Sequence, residues 1–104
     1  MSKSKAKKIV GKYASALKDG GLSVKSVYLF GSHVSGRANE WSDIDVAIVV
    51  NDNKMDFLKN LSLFSKIGLG VDRRLETHVF SVNDFKNDSD PLVFEIKKTG
   101  IRVP

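Results

Sequence analysis

The run Ile44-Asp45-Val46-Ala47-Ile48-Val49-Val50 constrains this chain more than any other stretch. β-Branched residues dominate it, and after Asp45 every side chain is apolar. A strand of that kind needs cover on both faces, so it belongs in the middle of a layered fold rather than at a solvated edge. The two carboxylates at its start, Asp43 and Asp45, are then conspicuous. Residues i and i+2 of a strand face the same side, so the two acids are expected to point together. Like charges held that close are costly unless neutralised, and a divalent cation is the usual partner.

The remaining elements frame this strand, which is read as residues 43–50. Apolar residues at Ile9, Val10, Tyr13, Ala14 and Leu17 have the spacing of an amphipathic helix over residues 5–19, stopped by Asp19-Gly20-Gly21. Residues 25–30 form a short strand ending at Gly31. The polar segment that follows begins with a short turn of helix from Ser32, ended by Gly36. Asn51-Asp52-Asn53 supplies a turn and a helix cap. Met55, Phe57, Leu58, Leu61, Phe64 and Ile67 mark a second amphipathic helix, closed by Gly68 or Gly70. Residues 73–80 alternate: Arg74, Glu76, His78 and Phe80 take one side, Leu75, Thr77 and Val79 the other, as in a strand. Residues 84–89 read as a loop. Asp90-Pro91 begins a final helix, an N-cap followed by proline at the first helical position, and Gly100 ends it. Ile101-Arg102-Val103 adds a short edge strand. The whole reads as one domain over residues 1–104, of α/β (α+β) class: a small mixed sheet with helices packed mainly on one face.

Composition removes several classes of function. The chain has no cysteine, which excludes a disulfide scaffold, a thiol nucleophile and a cysteine-based zinc site. No apolar run approaches a membrane span, and a cytoplasmic location is expected. The net charge of +5 is local. Six lysines and no acid lie in residues 1–18, whereas the remainder carries eleven basic and twelve acidic residues. Without interleaved aromatics these lysines read as the solvated face of the first helix rather than as a nucleic-acid arm.

The chemistry concentrates on Gly31-Ser32 and the acids downstream. Gly31 permits a positive φ or a close backbone approach, and the Gly31-Ser32 N–H groups and the Ser32 hydroxyl can face an anion. A phosphate cradle beside a carboxylate pair suits Mg²⁺ held between protein oxygens and a nucleoside triphosphate, with two-metal chemistry activating a hydroxyl and stabilising the pyrophosphate that leaves. A third carboxylate is wanted, and Glu76 on the neighbouring strand is best placed. The competing reading of Glu76 is a surface partner for Arg74. His33 and His78 read as surface or packing residues, with His78 on the face of Glu76, and Trp41 as packing for the loop. Gly68-x-Gly70 is no dinucleotide fingerprint, because no third glycine follows.

Gly31-Ser32, ten residues, then Asp43-x-Asp45 resembles the signature of the nucleotidyltransferase superfamily typified by DNA polymerase β. The fuller pattern, Gly31-Ser32-His33-Val34-Ser35-Gly36-Arg37-Ala38 through Ser42-Asp43-Ile44-Asp45-Val46, is similar to its minimal nucleotidyltransferase (MNT) branch. So are Leu75-Glu76-Thr77-His78-Val79-Phe80-Ser81 and the tail from Glu95 to Ile101. The resemblance implies a palm-like fold and transfer of a nucleoside monophosphate, AMP from ATP, to a hydroxyl. It implies Asp43, Asp45 and Glu76 as catalytic metal ligands, and Gly31, Ser32, Ser42 and Arg37 as nucleotide contacts. It also implies a HEPN-domain partner, with this chain as the antitoxin of the pair, either by modifying a tyrosine of that partner or by contact alone. The loop departs from the family in carrying His33 and Ser35 where arginines are common, which leaves Arg37 as its cation.

Overall fold

The computed structural model describes residues 2–39, 42–51 and 54–104, with the side chains of residues 54–60 outside the description. Trp41, the Asp52-Asn53 cap and the apolar face formed by Met55, Phe57 and Leu58 therefore lie outside the described residues. The elements run α1 (Lys3–Asp19), β1 (Val24–Phe30), α2 (Ser32–Ser35), β2 (Ile44–Val50), α3 (Lys54–Val71), β3 (Leu75–Ser81), α4 (Val82–Phe85), α5 (Pro91–Thr99) and β4 (Ile101–Val103). The sheet order is β3-β2-β1-β4. β1 runs antiparallel to both β2 and β4, while β2 and β3 are parallel. Parallel neighbours need a crossover, and α3 supplies it.

The apolar run of β2 is central, as its composition requires, and all its residues except Asp45 are buried. On one face Ile44, Val46, Ile48 and Val50 meet Val10, Tyr13, Leu17 and Phe64 from the two long helices. On the other, Phe30 and Ala47 meet Ile96, with Tyr28, Phe80, Phe85 and Leu92 packed around them. The mixed sheet and its main helical layer match the expectation. The second layer, built by the short α4 and α5, is the addition.

Two boundaries differ from the sequence reading for identifiable reasons. α3 does not stop at Gly68 or Gly70 but continues to Val71. Gly68 is a packing residue: a Cβ there would lie 3.2 Å from Tyr13 Cζ, so its lack of a side chain lets α3 approach the Tyr13 ring. The polar segment after β3 begins as helix, because Ser81 caps it by accepting from Asp84 N at 3.0 Å. The start of α5 is as expected, with Asp90 accepting from Leu92 N at 2.9 Å and Pro91 opening the helix. None of the described helices is long and apolar enough to cross a membrane.

Tyr13 ties the main layer together. Fully buried, it donates its hydroxyl proton to the Phe64 carbonyl at 2.7 Å, and its oxygen lies 3.0 Å from Thr77 Oγ1 on β3. Burial raises its pKa. Tyr13→Phe is expected to cost about 1–2 kcal/mol, because it leaves a buried carbonyl and a half-buried hydroxyl without this partner. Urea unfolding should show a lowered midpoint with an unchanged slope.

Candidate active site

Strand register builds the site. Phe30 of β1 lies opposite Asp45 of β2, and Asp45 lies opposite Glu76 of β3. Three neighbouring strands thus present one row, on the sheet face away from α1 and α3. One step along, Ala47 is opposite His78. Among the described residues Asp45, Glu76 and His78 form the acidic cluster: each offers a ligand atom within 4.8 Å of the others. His78 Nε2 lies 3.5 Å from Asp45 Oδ1 and 3.9 Å from Glu76 Oε1. That nitrogen is buried and makes no hydrogen bond among the described residues. The Phe30 ring meets the His78 ring edge-on, with centroids 5.2 Å apart.

Gly31 closes the near side of the cluster. Its φ of 81° and ψ of −146° lie in a region open essentially to glycine alone. A Cβ at this position would collide with the Asp45 carboxylate. The chain then turns into α2, where the Gly31 carbonyl accepts from Val34 N at 3.0 Å and Ser35 N at 3.1 Å. Gly36, with φ of 82°, ends the turn in the left-handed conformation. The short helix between Ser32 and Gly36 is the one expected. Beside it lies an open cavity of about 410 Å³ bordered by Ser32, His33, Ser35 and Gly36, and Lys3 of α1 reaches its rim. Lys3 is exposed, as the solvated face of the first helix requires. No local pattern could reveal this neighbour, since only the packing of α1 brings it there.

The other expected site residues are arranged differently. Asp43 is exposed and precedes β2, which begins at Ile44. It lies outside the cluster of three, yet its charge is still felt at Glu76. The Ser42 hydroxyl accepts from Asn39 N at 3.0 Å, so it helps close the loop. The Ser42 carbonyl lies 3.4 Å from Nε2 of His33, which is buried and links α2 to the start of β2. Arg37 is exposed, and its Nε donates to Ser35 Oγ at 3.3 Å. None of the hydrogen bonds described joins Ser42 or Arg37 to the acidic cluster.

Electrostatics single out Glu76. Desolvation, and next the negative charge of Asp45, raise its carboxyl above the usual range. The side chain is 53% exposed, so solvent screens part of that repulsion. Arg74 does not relieve it. Instead Arg74 forms a two-pronged pair with Asp72, through Nε at 3.0 Å and Nη2 at 2.9 Å. The surface pairing considered for Glu76 is thereby set aside. Those hydrogen bonds from Arg74 hold Asp72 below the ordinary carboxylate range. A depressed folded-state pKa stabilises the fold above the unfolded value, and the contribution disappears as pH falls through the folded one. Wild-type stability should therefore drop below about pH 4 more steeply than that of Asp72→Asn, measured by denaturant titration across pH.

The donor set fits a divalent cation. Two carboxylates stand side by side and repel each other, and the buried ring nitrogen of His78 beside them lacks a hydrogen-bond partner among the described residues. Oxygen-rich sites of this kind suit Mg²⁺ or Mn²⁺.

A glycine turn pressed against carboxylates from two parallel strands is the architecture of enzymes that move nucleotidyl groups, and comparison with known proteins agrees. Residues 12–103 match the family described as "Polymerase beta, Nucleotidyltransferase", and the chain belongs to it. It is a nucleotidyltransferase. A Methanocaldococcus jannaschii protein named as a candidate protein adenylyltransferase is 38% identical over 96 residues, covering 88% of this chain and 95% of that protein. The crystal structure of a candidate nucleotidyltransferase from Sulfolobus solfataricus superposes with a TM-score of 0.68 at 17% identity, over 96% of this chain and 80% of the other. At that identity the likeness is one of fold.

Proposed function

We propose that this chain transfers AMP from ATP to a protein hydroxyl, in a reaction dependent on Mg²⁺. The observation that carries the reading is the grouping of Gly31, Asp45 and Glu76, in which the Gly31 backbone abuts one carboxylate and the strand register sets the second beside it. Asp45 and Glu76, with Asp43 at the mouth, would hold the divalent cation. When bound, that cation neutralises triphosphate charge and makes a hydroxyl easier to deprotonate. Gly31 and Ser32 begin the turn that receives the triphosphate, and Lys3 supplies positive charge at the cavity rim.

The name of the M. jannaschii relative supports a protein acceptor. The resemblance to minimal nucleotidyltransferases supports a tyrosine of a HEPN-domain partner, with this chain as the antitoxin. The test is incubation with ATP labelled at the α-phosphate, Mg²⁺ and the product of an adjacent gene encoding a small all-helical protein. Label should move to the partner and be lost with chelator. If the partner is neutralised equally by a folded Asp45→Asn chain, contact rather than transfer is the mechanism.

A further inference from the structure

The end of the sheet remote from the carboxylates has a feature that nucleotidyl transfer does not use. A cavity of about 210 Å³ opens there, with Lys25, Lys86, Lys97 and Arg102 around a wall made by Tyr28 and Phe85. A second cavity of about 230 Å³ shares Lys25, Ser26 and Arg102 with it and adds Lys18. Among the described residues no acidic side chain lines either one. Lys97 pairs with Asp88 at 2.6 Å. Among the described residues Lys18, Lys25, Lys86 and Arg102 have no ion pair. Together these exposed side chains make a positive surface that attracts anions.

The backbone is shaped for the same end. The pairing of β1 with β2 slips between Val24 and Ser26, so Lys25 is the extra residue of a bulge. Bulges bend a strand and re-aim a side chain, and Lys25 borders both cavities. The aromatic wall is rigid. Tyr28 and Phe85 stack with centroids 5.4 Å apart, Phe80 packs against Phe85 at 5.7 Å, and Lys97 Nζ lies 5.1 Å above the Phe85 ring. Ser26 and Phe30 are four residues apart on β1, which is about 13 Å at the strand rise. The lining of the two cavities shares no residue with the acidic cluster.

We propose that the cavity over the Tyr28–Phe85 wall is a second anion site, which takes an oligophosphate, the chemistry shared by pyrophosphate and the tail of a nucleotide. Phosphate oxygens lie between Lys25 and Arg102, and any attached ring lies toward the Tyr28–Phe85 wall.

The test is an amide NMR titration of the full chain in excess chelator, with sodium pyrophosphate and, separately, ADP. Saturable shifts are expected at Lys25, Ser26 and Arg102. Affinity should fall at least about tenfold in Lys25→Ala/Arg102→Ala, as expected for loss of charged hydrogen bonds. Both side chains are exposed, and the variant should keep wild-type transfer activity. The single variant Lys86→Ala gives an independent reading, with a smaller loss expected. Equal binding of both probes assigns recognition to phosphate alone, and tighter ADP binding adds the aromatic wall. Shifts confined to residues 31–36, or affinity unchanged in both variants, would overturn the proposal.

Discussion

Asp45→Asn is expected to reduce nucleotidyl transfer about 1,000-fold, the equivalent of about 4 kcal/mol of lost transition-state stabilisation. The substitution keeps the volume of the side chain and removes its charge. Asp45 is the member of the acidic cluster that touches everything else. It sits opposite Phe30 and Glu76, its Oδ1 is 3.5 Å from His78 Nε2, and the Gly31 backbone presses against it. Its side chain is 24% exposed, so the loss of charge is felt in a partly desolvated place. The fold should persist, because repulsion with Glu76 is removed at the same time. Initial rates with labelled ATP, alongside thermal melts of both proteins, check the expectation. Activity within tenfold of wild type would mean that Asp43 and Glu76 suffice.

Gly31→Ala is expected to damage both stability and turnover. An alanine at φ of 81° and ψ of −146° is strained by about 1–3 kcal/mol, and its methyl would meet the Asp45 carboxylate. The carboxylate has to move, and a shift of about 1 Å in a reacting group can cost about 100-fold in rate. The two effects separate experimentally. Denaturant unfolding reports the strain, and kcat measured well below the melting temperature reports the displacement. Gly21→Ala is the control, since its φ of 79° is similar but its Cβ would meet open space. It should lower stability and leave kcat unchanged.

Much of this molecule is legible in its sequence because the informative patterns are local. The apolar run of β2 announced a central strand, Asp90-Pro91 announced α5, and Gly31-Ser32 announced the turn into α2. The shared face of Glu76 and His78 follows from strand alternation alone. What alternation could not provide is register. That Asp45 faces Glu76, rather than Arg74 or His78, depends on how α3 returns the chain. Gly68 was misread as a helix stop because its purpose is contact with Tyr13, a residue distant in sequence. Arg74 was considered as a partner for Glu76 on the same reasoning, while a closer acid, Asp72, held it. Asp43 was grouped with Asp45 by spacing, yet the strand begins after it, and so the two acids are in different surroundings. The cations of Lys18, Lys25, Lys86, Lys97 and Arg102 come from five separate elements or turns, and no linear pattern unites them.

The parallel pairing of β2 with β3 has a consequence in time as well as space. Asp45 and Glu76 meet only after the chain has closed a loop across the whole of α3, and non-local pairings of that kind are the slow events of folding. Half of the cation-binding pair is therefore expected to come into place after the β1–β2 hairpin. Partly folded chains can hold the hairpin of β1 and β2, with Gly31 already against Asp45, and still lack Glu76. Recovery of transferase activity after dilution from denaturant should then lag behind recovery of the β1–β2 hairpin, which makes catalysis a clock for the completion of the sheet.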